Sequence, residues 1–344
     1  MNIEISEELD PICETLALLY MSQNYEKIKK VNIDQLNQLG INGDLFIKKT
    51  LKVLDKYINT FNKYKIIDES IDHFSIKEDD VFAFIALSFV LVNNKHLMNS
   101  INDISQDDLR DLILKSYNNT TTEEVALDSI NTLNDIIEFL KTTPFTEDTK
   151  WKLTIILNNP KTYYSSLIKI VENNLNAYNE AFKSIEKPHS KLMSQFTKYI
   201  NSGKCELITN NYINYENTVS ITPVLAYGSC LFAFENSLYL GLLFETIHNE
   251  HVNSMGSKGD IVLKLKALSD KSKLEIVSIL KNGPKYSQEI AAMLELTPAT
   301  VSYHMSVLLE CCIVSIEKKD GKVYYSLNTT TLQNFLNELN NTLL

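Results

Sequence analysis

Hydrophobic residues recur at helical spacing over the first 200 positions of the chain. Within 46–61, apolar side chains return every three or four residues, which is the period of a helix with one buried face. The stretch 81–92 is apolar almost throughout, so it predicts a buried helix. It is shorter than the roughly 18 residues that a membrane-spanning helix needs. A long helix should begin after Pro160 and end near Glu186, because Pro188 disfavours helical backbone at the residue before it.

Between positions 205 and 245 the pattern changes to short apolar runs separated by turn residues. Runs of this length are typical of strands, and they lie at 206–209, 219–226, 230–234 and 238–244. Pro223 indicates an edge strand or a bulge, since proline cannot donate to a ladder. We therefore expect a small antiparallel sheet at about 205–245.

The domain organisation follows from these patterns. At 344 residues the chain exceeds one typical domain. The segment 253–259 contains two of its nine glycines and is the best candidate for a linker. We predict a mainly α fold with minor β (an α+β fold), with a large helical domain at 1–252 that carries the small sheet. The linker 253–259 and a C-terminal domain at 260–344 follow.

The C-terminal domain begins with two predicted helices, at 261–268 and 271–280. Asp270 can cap the second helix, and Gly283 helps to end it. Ser287 then caps a third, short helix. A fourth helix should start at Thr297, with Pro298 at its first position, where the missing N–H costs nothing.

A helical wheel divides the fourth helix into two sides. Its core side is marked by Val301, Met305, Leu308 and Cys312. The other side carries small or hydroxyl-bearing residues, namely Ala299, Ser302, Tyr303 and Ser306. Such a side can approach a DNA groove and donate hydrogen bonds to bases or phosphates. It is equally compatible with the plain surface of a small domain.

A charged hairpin follows and favours the first of these two interpretations. Asp320-Gly321 is a strong signal for a two-residue turn between alternating strands at 314–317 and 323–326. Lys318, Lys319 and Lys322 lie around the tip, where they suit phosphate contacts. Two helices joined by a turn and followed by a basic hairpin predict a winged helix-turn-helix, whose second helix enters a DNA groove.

Three segments resemble the ArsR/SmtB-type winged-helix regulators: 268–280, 296–308 and 321–327. The resemblance covers about a quarter of the chain. It implies a homodimer built on helices at 261–268 and 331–343, double-stranded operator DNA as the partner and, usually, repression. The homodimer should bind an AT-rich, imperfectly palindromic site.

Candidate DNA-contacting residues come from both helices of the motif and from the hairpin. They are Ser287, Thr297, Pro298, Ala299, Thr300, Ser302, Tyr303, His304, Ser306, Lys318, Lys319, Lys322 and Tyr324. Among them, Ser302 and Tyr303 are expected to discriminate between bases.

The metal sites common in that family are absent from the sequence. Residues 284–287 stand where its sensors carry a Cys-x-Cys-type motif, and the last helix contains no histidine. Cys311-Cys312, His304 and the pair His248 and His251 remain. Vicinal cysteines at a helix end are more often core residues, and two histidines are only half a site. We predict no metal and no cofactor.

The charge is distributed unevenly. The net charge of −10 has the wrong sign for a general nucleic-acid binder, yet nine Lys and nine Asp or Glu balance each other in 260–344. The excess of acid therefore lies in the first domain. Five scattered cysteines do not describe a disulfide framework. The acidic start lacks the features of a signal peptide, so we expect a cytoplasmic protein without a membrane partner.

Three classes of function compete. The first is a transcriptional regulator, in which residues 1–252 sense a signal such as a small-molecule effector or serve assembly. The second is an enzyme with an appended DNA-binding domain, against which stands the lack of a P-loop, a dinucleotide fingerprint and a nucleophile elbow. The third is an interaction scaffold, which would predict a hairpin without charge. We favour a regulator that is not an enzyme and has no catalytic residues.

Overall fold

The computed structural model describes residues 3–38, 43–67, 81–120, 130–143, 145–202, 219–228, 230–234, 237–244, 259–294, 296, 301, 304–305, 307–309, 311–319 and 322–344. Helices of the first part are α1 (Pro11–Gln38), α2 (Gly43–Thr50), α3 (Lys52–Tyr64), α4 (Val81–Asn93), α5 (Leu97–Ser100), α6 (Gln106–Thr120), α7 (Leu133–Thr142), α8 (Glu147–Asn158) and α9 (Pro160–Asn201). Its strands are β1 (Ile3–Ile5), β2 (Val219–Val224), β3 (Leu231–Phe234) and β4 (Ser237–Gly241). The second part contains α10 (Gly259–Ser269), α11 (Lys271–Leu280), α12 (Ser287–Leu294), β5 (Val314–Lys319), β6 (Lys322–Leu327) and α13 (Thr329–Leu343). The prediction of a mainly α fold with minor β is confirmed.

Helix α4 lies at the centre of the first part. Its residues from Ala83 to Val92 are all buried, and Phe84 and Leu91 are completely inaccessible to solvent. The prediction of a buried helix at 81–92 is thus confirmed. Among the described residues, no helix is both long enough and apolar enough to cross a membrane.

Helix α9 corrects the prediction that Pro188 ends a helix near Glu186. It runs for 42 residues and contains Pro188 in its interior. A proline has no N–H to donate to the carbonyl four residues earlier, which here belongs to Ser184. The ammonium group of Lys56 on α3 donates a hydrogen bond to that carbonyl instead. Because α3 packs along α9 and supplies this donor, the helix continues past the proline.

The small sheet is mixed, so the prediction of an antiparallel sheet is wrong. Its strand order is β1-β2-β4-β3; β1 pairs parallel to β2, β2 pairs parallel to β4, and only β3 and β4 are antiparallel. Strand β1 was not expected. Its residues Ile3–Ile5 pair with β2 more than 200 positions later, and a pairing so distant leaves no local signal. The predicted run at 206–209 lies outside the described residues.

Pro223 does lie at a local edge of this sheet, although β2 is an inner strand. The carbonyl of Ile221 accepts a hydrogen bond from the Ser6 N–H on the β1 side. Position 223 faces the same side by alternation, and β1 ends at Ile5. Proline is tolerated there because the ladder with β1 has already ended.

Glu14 ties the helices to the sheet. It is fully buried on α1, and its carboxylate accepts hydrogen bonds from the N–H groups of Leu225 (2.6 Å) and Ala226 (3.1 Å) just after β2. The hydroxyl of Tyr57 on α3 donates a third, at 2.9 Å. Burial raises the pKa of Glu14 from 4.5 to about 7, although these hydrogen bonds oppose the shift. One side chain thus satisfies two backbone donors that would otherwise be buried without partners.

The described residues form two hydrophobic cores that have no member in common. The first extends from Leu9 to Leu243, and the second lies between Ala267 and Leu332. The predicted linker, 253–259, falls between them, and all of it except Gly259 lies outside the described residues. The domain boundaries therefore stay a prediction.

Candidate nucleic-acid interface

The first helices of the second core are fixed by side-chain caps. The Asp270 carboxylate accepts a hydrogen bond from the Lys273 N–H at 2.9 Å, which caps α11 and holds the pKa of Asp270 below its usual value. At the start of α12, the Tyr286 N–H donates to the Glu289 carboxylate at 3.2 Å. The Tyr286 carbonyl accepts the first helical hydrogen bond, from Ile290. Tyr286 thus occupies the capping position predicted for Ser287, which is instead the first residue of the helix.

A further helix follows α12; we call it the second motif helix, and its described residues 301, 304–305 and 307–309 are helical. Val301, Met305 and Leu308 are completely buried, which confirms the core side predicted from the wheel. Seven predicted DNA-contacting residues lie outside the described part of the chain: Thr297, Pro298, Ala299, Thr300, Ser302, Tyr303 and Ser306. Their contacts with DNA stay predictions.

His304 is placed differently from its prediction as a DNA-contacting residue. It is buried on the core side of the second motif helix, three positions after Val301. We therefore leave His304 out of the interface proposed below. The wheel contained the signal, since a spacing of three from a core residue returns to the core side.

The end of the second motif helix is closed by its own backbone. The Cys312 N–H donates to the Leu309 carbonyl at 2.8 Å, and the Ile313 N–H donates to the Leu308 carbonyl at 3.0 Å. These two hydrogen bonds define a Schellman motif, which requires a left-handed residue after the helix. Cys312 is that residue, with φ +54°, and it is partly exposed rather than a core member as predicted.

The wing, which we define as residues 314–327, is a two-stranded antiparallel ladder of β5 and β6. Its register pairs Lys319 with Lys322, so that 320–321 form the two-residue connection where the sequence predicted a turn. Lys318 pairs with Val323. Alternation along a strand therefore puts positions 319 and 322 on one face of the ladder and position 318 on the other.

Residues 285 and 286, missed in the sequence, attach the wing to α12. Lys285 exchanges two backbone hydrogen bonds with Tyr325, at 2.7 and 3.0 Å, and so adds a short bridge to the ladder. The Tyr286 ring meets the predicted DNA-contacting Tyr324 edge to face, with centroids 6.0 Å apart. The two tyrosines fix the wing relative to the start of α12. No short-range pattern in the sequence shows a contact across nearly 40 positions.

The cysteines and histidines considered as metal ligands lie only partly within the described residues. Cys311 and Cys312 are thiols rather than members of a disulfide, and both are partly exposed. Within the described residues, no three His, Cys, Asp or Glu side chains lie close enough together to hold a metal ion. His248 and His251 lie outside that part of the chain.

A short helix that ends at Leu294, a second helix that is present by Val301 and a hairpin after them have the layout of a winged helix-turn-helix, a class of DNA-binding protein. Comparison with known proteins is consistent with this class. The family model described as "Bacterial regulatory protein, arsR family" matches residues 270–315, which extend from the cap of α11 into β5. No solved structure was found to match the chain.

Three relatives match the same end of the chain. The "Transcriptional repressor SdpR" of Bacillus subtilis (strain 168) is 35% identical over 72 residues, which are 21% of this chain and 80% of the relative. The "Arsenical resistance operon repressor" of Staphylococcus aureus is 33% identical over 76 residues, 22% of this chain and 73% of the relative. The protein of the same name from Bacillus subtilis (strain 168) is 32% identical over 76 residues, which are 22% of this chain and 72% of the relative. The chain belongs to the ArsR family of bacterial regulatory proteins, and its C-terminal part is that of a DNA-binding regulator.

Proposed function

We propose that this protein is a homodimeric transcriptional repressor with two domains, 1–252 and 260–344, joined by the linker 253–259. The C-terminal domain binds an imperfect palindrome, and the N-terminal domain senses a signal or aids assembly. The observation that carries the proposal is an apolar surface left exposed on α10 and α13. The relatives are named as repressors, which supports repression and a role other than an enzyme's.

The surface on α10 and α13 has the chemistry of a subunit interface. The two helices pack against each other, and they bury Ile261 and Ala267 on α10 and Phe335 on α13. Large apolar side chains on the same helices remain accessible to solvent: Val262 (36%), Leu265 (42%), Leu336 (58%) and Leu343 (71%). Several large apolar side chains exposed on two helices that pack together favour an interaction site. A second copy covers it by two-fold symmetry, since the same patch then meets itself.

Two-fold symmetry of the protein requires a two-fold symmetric site. Each protomer presents one second motif helix and one wing, so the half-sites should lie one or two helical turns apart, each about 10–10.5 base pairs. The base composition of the site follows from the scarcity of arginine. Arg110 is the single arginine of the chain; on α6 its side chain is buried, where it donates to the Leu157 carbonyl at 2.8 Å. Arginine is the commonest reader of guanine, and its absence from the C-terminal domain favours an AT-rich site.

The proposal is tested by selecting bound duplexes from random DNA with the full chain and footprinting the result. We expect an AT-rich footprint with two-fold symmetry. Light scattering of the complex should show two protomers on each duplex. Leu336→Glu should produce monomers and should weaken binding to the selected duplex far more than binding to a single half-site. Asn337→Glu introduces the same charge at the neighbouring exposed position and serves as the control. A monomer at micromolar concentration together with an asymmetric footprint would overturn the proposal.

A further inference from the structure

The two faces of the wing differ in what they contact. The register of the ladder puts Val314 and Tyr325 on one face, and both side chains are buried in the second core. Successive positions of a strand alternate between the two faces of a sheet. Tyr324 and the paired positions 319 and 322 therefore lie on the opposite face, which we call the outer face. The outer face carries two of the three wing lysines.

The backbone joins the start of α12 to the wing at one point. The Lys285 N–H donates to the Tyr325 carbonyl at 3.0 Å, and the Tyr325 N–H donates to the Lys285 carbonyl at 2.7 Å. Glu289 fixes this segment to α12, because its carboxylate accepts from the Tyr286 N–H at 3.2 Å and lies 3.9 Å from the Lys285 ammonium group. A ribbon that is held by one residue pair can still tilt about that pair. A second contact is needed to fix its direction.

Tyr286 supplies that second contact, and it does so on the outer face. Its ring meets the ring of Tyr324 edge to face, with centroids 6.0 Å apart and ring planes at 82°. This is a favoured geometry for a pair of aromatic rings. The neighbouring Tyr325 is held on the core face by the second core and by Lys285. Adjacent residues of β6 are thus held on opposite faces, which determines the tilt of the wing.

The ring contact lies close to the lysine positions of the outer face. Position 322 is two residues from Tyr324 on the same strand, which is about 7 Å, and position 319 is its partner across the ladder. A tilt of the wing at Tyr324 therefore moves both lysine positions together. A hydrogen bond to a phosphate oxygen needs a donor within about 3 Å of it. The angle fixed at Tyr324 thus decides whether both lysines can reach phosphates at once.

We propose that Tyr286 is the positioning residue of the wing. Its ring contact with Tyr324 holds the outer face at the angle at which Lys319 and Lys322 reach the phosphates of DNA. This inference rests on the proposed function, because it concerns the same DNA interface. Tyr286 acts through its ring, and it reads neither a base nor a phosphate itself. The start of α12 and the wing then meet the DNA backbone as one unit rather than as two separately moving parts.

The salt dependence of DNA binding by the full chain separates positioning from a direct contact. Replacing Lys319 and Lys322 together by Ala should lower the salt slope on the selected duplex by about two units. Tyr286→Ala should lower the slope by about the same amount, and the double lysine substitution should then change it no further. Tyr286→Phe keeps the ring and should keep the wild-type slope. Met293→Ala removes a large side chain from an exposed position (58%) on the same helix and serves as the control.

Hydrogen exchange of the free full chain tests the ring contact without DNA. The amides of Lys285 and Tyr325 form the bridge between α12 and the wing, so they should exchange about two- to tenfold faster in Tyr286→Ala. The rate is taken relative to the amides of Cys312 and Ile313, which close the second motif helix and report any general loss of stability. Tyr286→Phe should give the wild-type ratio.

The outcomes separate this inference from the proposed function. If the lysine substitutions keep their full effect in Tyr286→Ala, or have none in the wild type, the positioning proposal is overturned and the regulator stands. A lowered slope in Tyr286→Phe would also overturn it, since the hydroxyl would then contact DNA itself. If no duplex is bound, the proposed function fails, and the exchange ratio alone decides whether Tyr286 holds the wing. If Tyr286→Ala does not fold, Tyr286→Leu, which keeps apolar bulk without a ring, replaces it in both measurements.

Discussion

At the scale of single residues, Cys312 has a strained backbone conformation that residues with a side chain rarely adopt. Its φ of +54° lies in the left-handed region, which costs a residue with a Cβ about 1–2 kcal/mol relative to glycine. Cys312→Gly should therefore raise the free energy of unfolding of the C-terminal domain by about 1 kcal/mol, reduced somewhat by the greater freedom of glycine in the unfolded chain. Urea denaturation followed by circular dichroism measures the change.

Two further substitutions control that experiment. Cys312→Ala removes the thiol but keeps the Cβ, so it should leave the strain in place and the stability nearly unchanged. Gly283→Ala introduces backbone strain instead of relieving it, because Gly283 has φ +123°. No atom lies near the added Cβ, so no steric clash contributes. The substitution should destabilise the domain through backbone strain alone. Equal stability of the Gly and Ala variants at position 312 would contradict the role assigned to the left-handed conformation.

Glu14 should give the protein a pH-dependent stability. Its pKa is about 7 in the folded chain and 4.5 as a free group, because burial disfavours the charged form. Folding therefore takes up a proton between these two values, and the free energy of unfolding falls as pH rises through that window. The full loss is about 3 kcal/mol above the window. Glu14→Gln keeps an acceptor for the Leu225 and Ala226 N–H groups and should remove this dependence.

The measurement compares urea midpoints of wild type and Glu14→Gln at intervals from pH 4.5 to 8. The difference between the two proteins, rather than the wild-type slope, isolates Glu14. Burial lowers the pKa of His189 on α9, so His189 contributes stability that is present above its usual pKa and lost on acidification. That contribution cancels in the comparison. A difference that is constant across the range would mean that Glu14 keeps its charge when buried.

At the scale of elements, local patterns predicted where helices begin better than where they end. The apolar run of α4 and the proline that opens α9 are both local signals. The continuation of α9 past Pro188 involves Lys56, which donates to the Ser184 carbonyl from more than 100 positions earlier in the chain. The core side of the second motif helix followed from a spacing of three and four residues. The left-handed conformation at the end of that helix was not predicted, because glycine is its usual signal and the position is occupied by Cys312.

A double-mutant cycle tests the account of Pro188. Lys56→Met removes the donor to the Ser184 carbonyl, and Pro188→Ala restores a backbone N–H four residues after it. Lys56→Met should therefore destabilise the wild type by about 0.5–1 kcal/mol, and clearly less in the Pro188→Ala background, since the carbonyl there has another donor. Thermal unfolding by circular dichroism supplies the four values. Additive effects would show that Lys56 does not replace the lost hydrogen bond.

The wing lysines should act on phosphates. Lys319→Ala or Lys322→Ala should weaken selected and random duplexes about equally, because phosphates carry no sequence information, and each should lower the salt slope by about one unit. Position 318 lies on the other face of the ladder, so Lys318→Ala shows whether that face also contacts phosphates. Electrophoretic mobility shifts at several salt concentrations measure all three. If one variant loses only the selected duplex, its lysine reads bases.

At the scale of the whole molecule, the sequence revealed the class of the C-terminal part and much less about the first part. The helix-turn-helix and its wing lie within about 60 consecutive positions, and most of their elements have a local pattern, although the attachment of the wing through residues 285 and 286 does not. The sheet of the first part is built from segments at opposite ends of that part, so its mixed order was not predictable from neighbouring residues. The roles in base discrimination that the sequence predicts for Ser302 and Tyr303 stay predictions until DNA binding is measured.

The pairing of β1 with β2 also determines how late in synthesis the first core can be completed. Ile3 leaves the ribosome more than 200 residues before its partner Val219, and the donors for Glu14 come later still. At about 5–20 residues per second, the Glu14 carboxylate waits on the order of ten seconds or more for those donors. Strand β4 then completes the sheet at Gly241, only shortly before α10 begins at Gly259. A nascent chain that stops within β2 to β4 thus lacks part of the sheet that completes the first core, whereas one that stops before α10 already holds every member of that core.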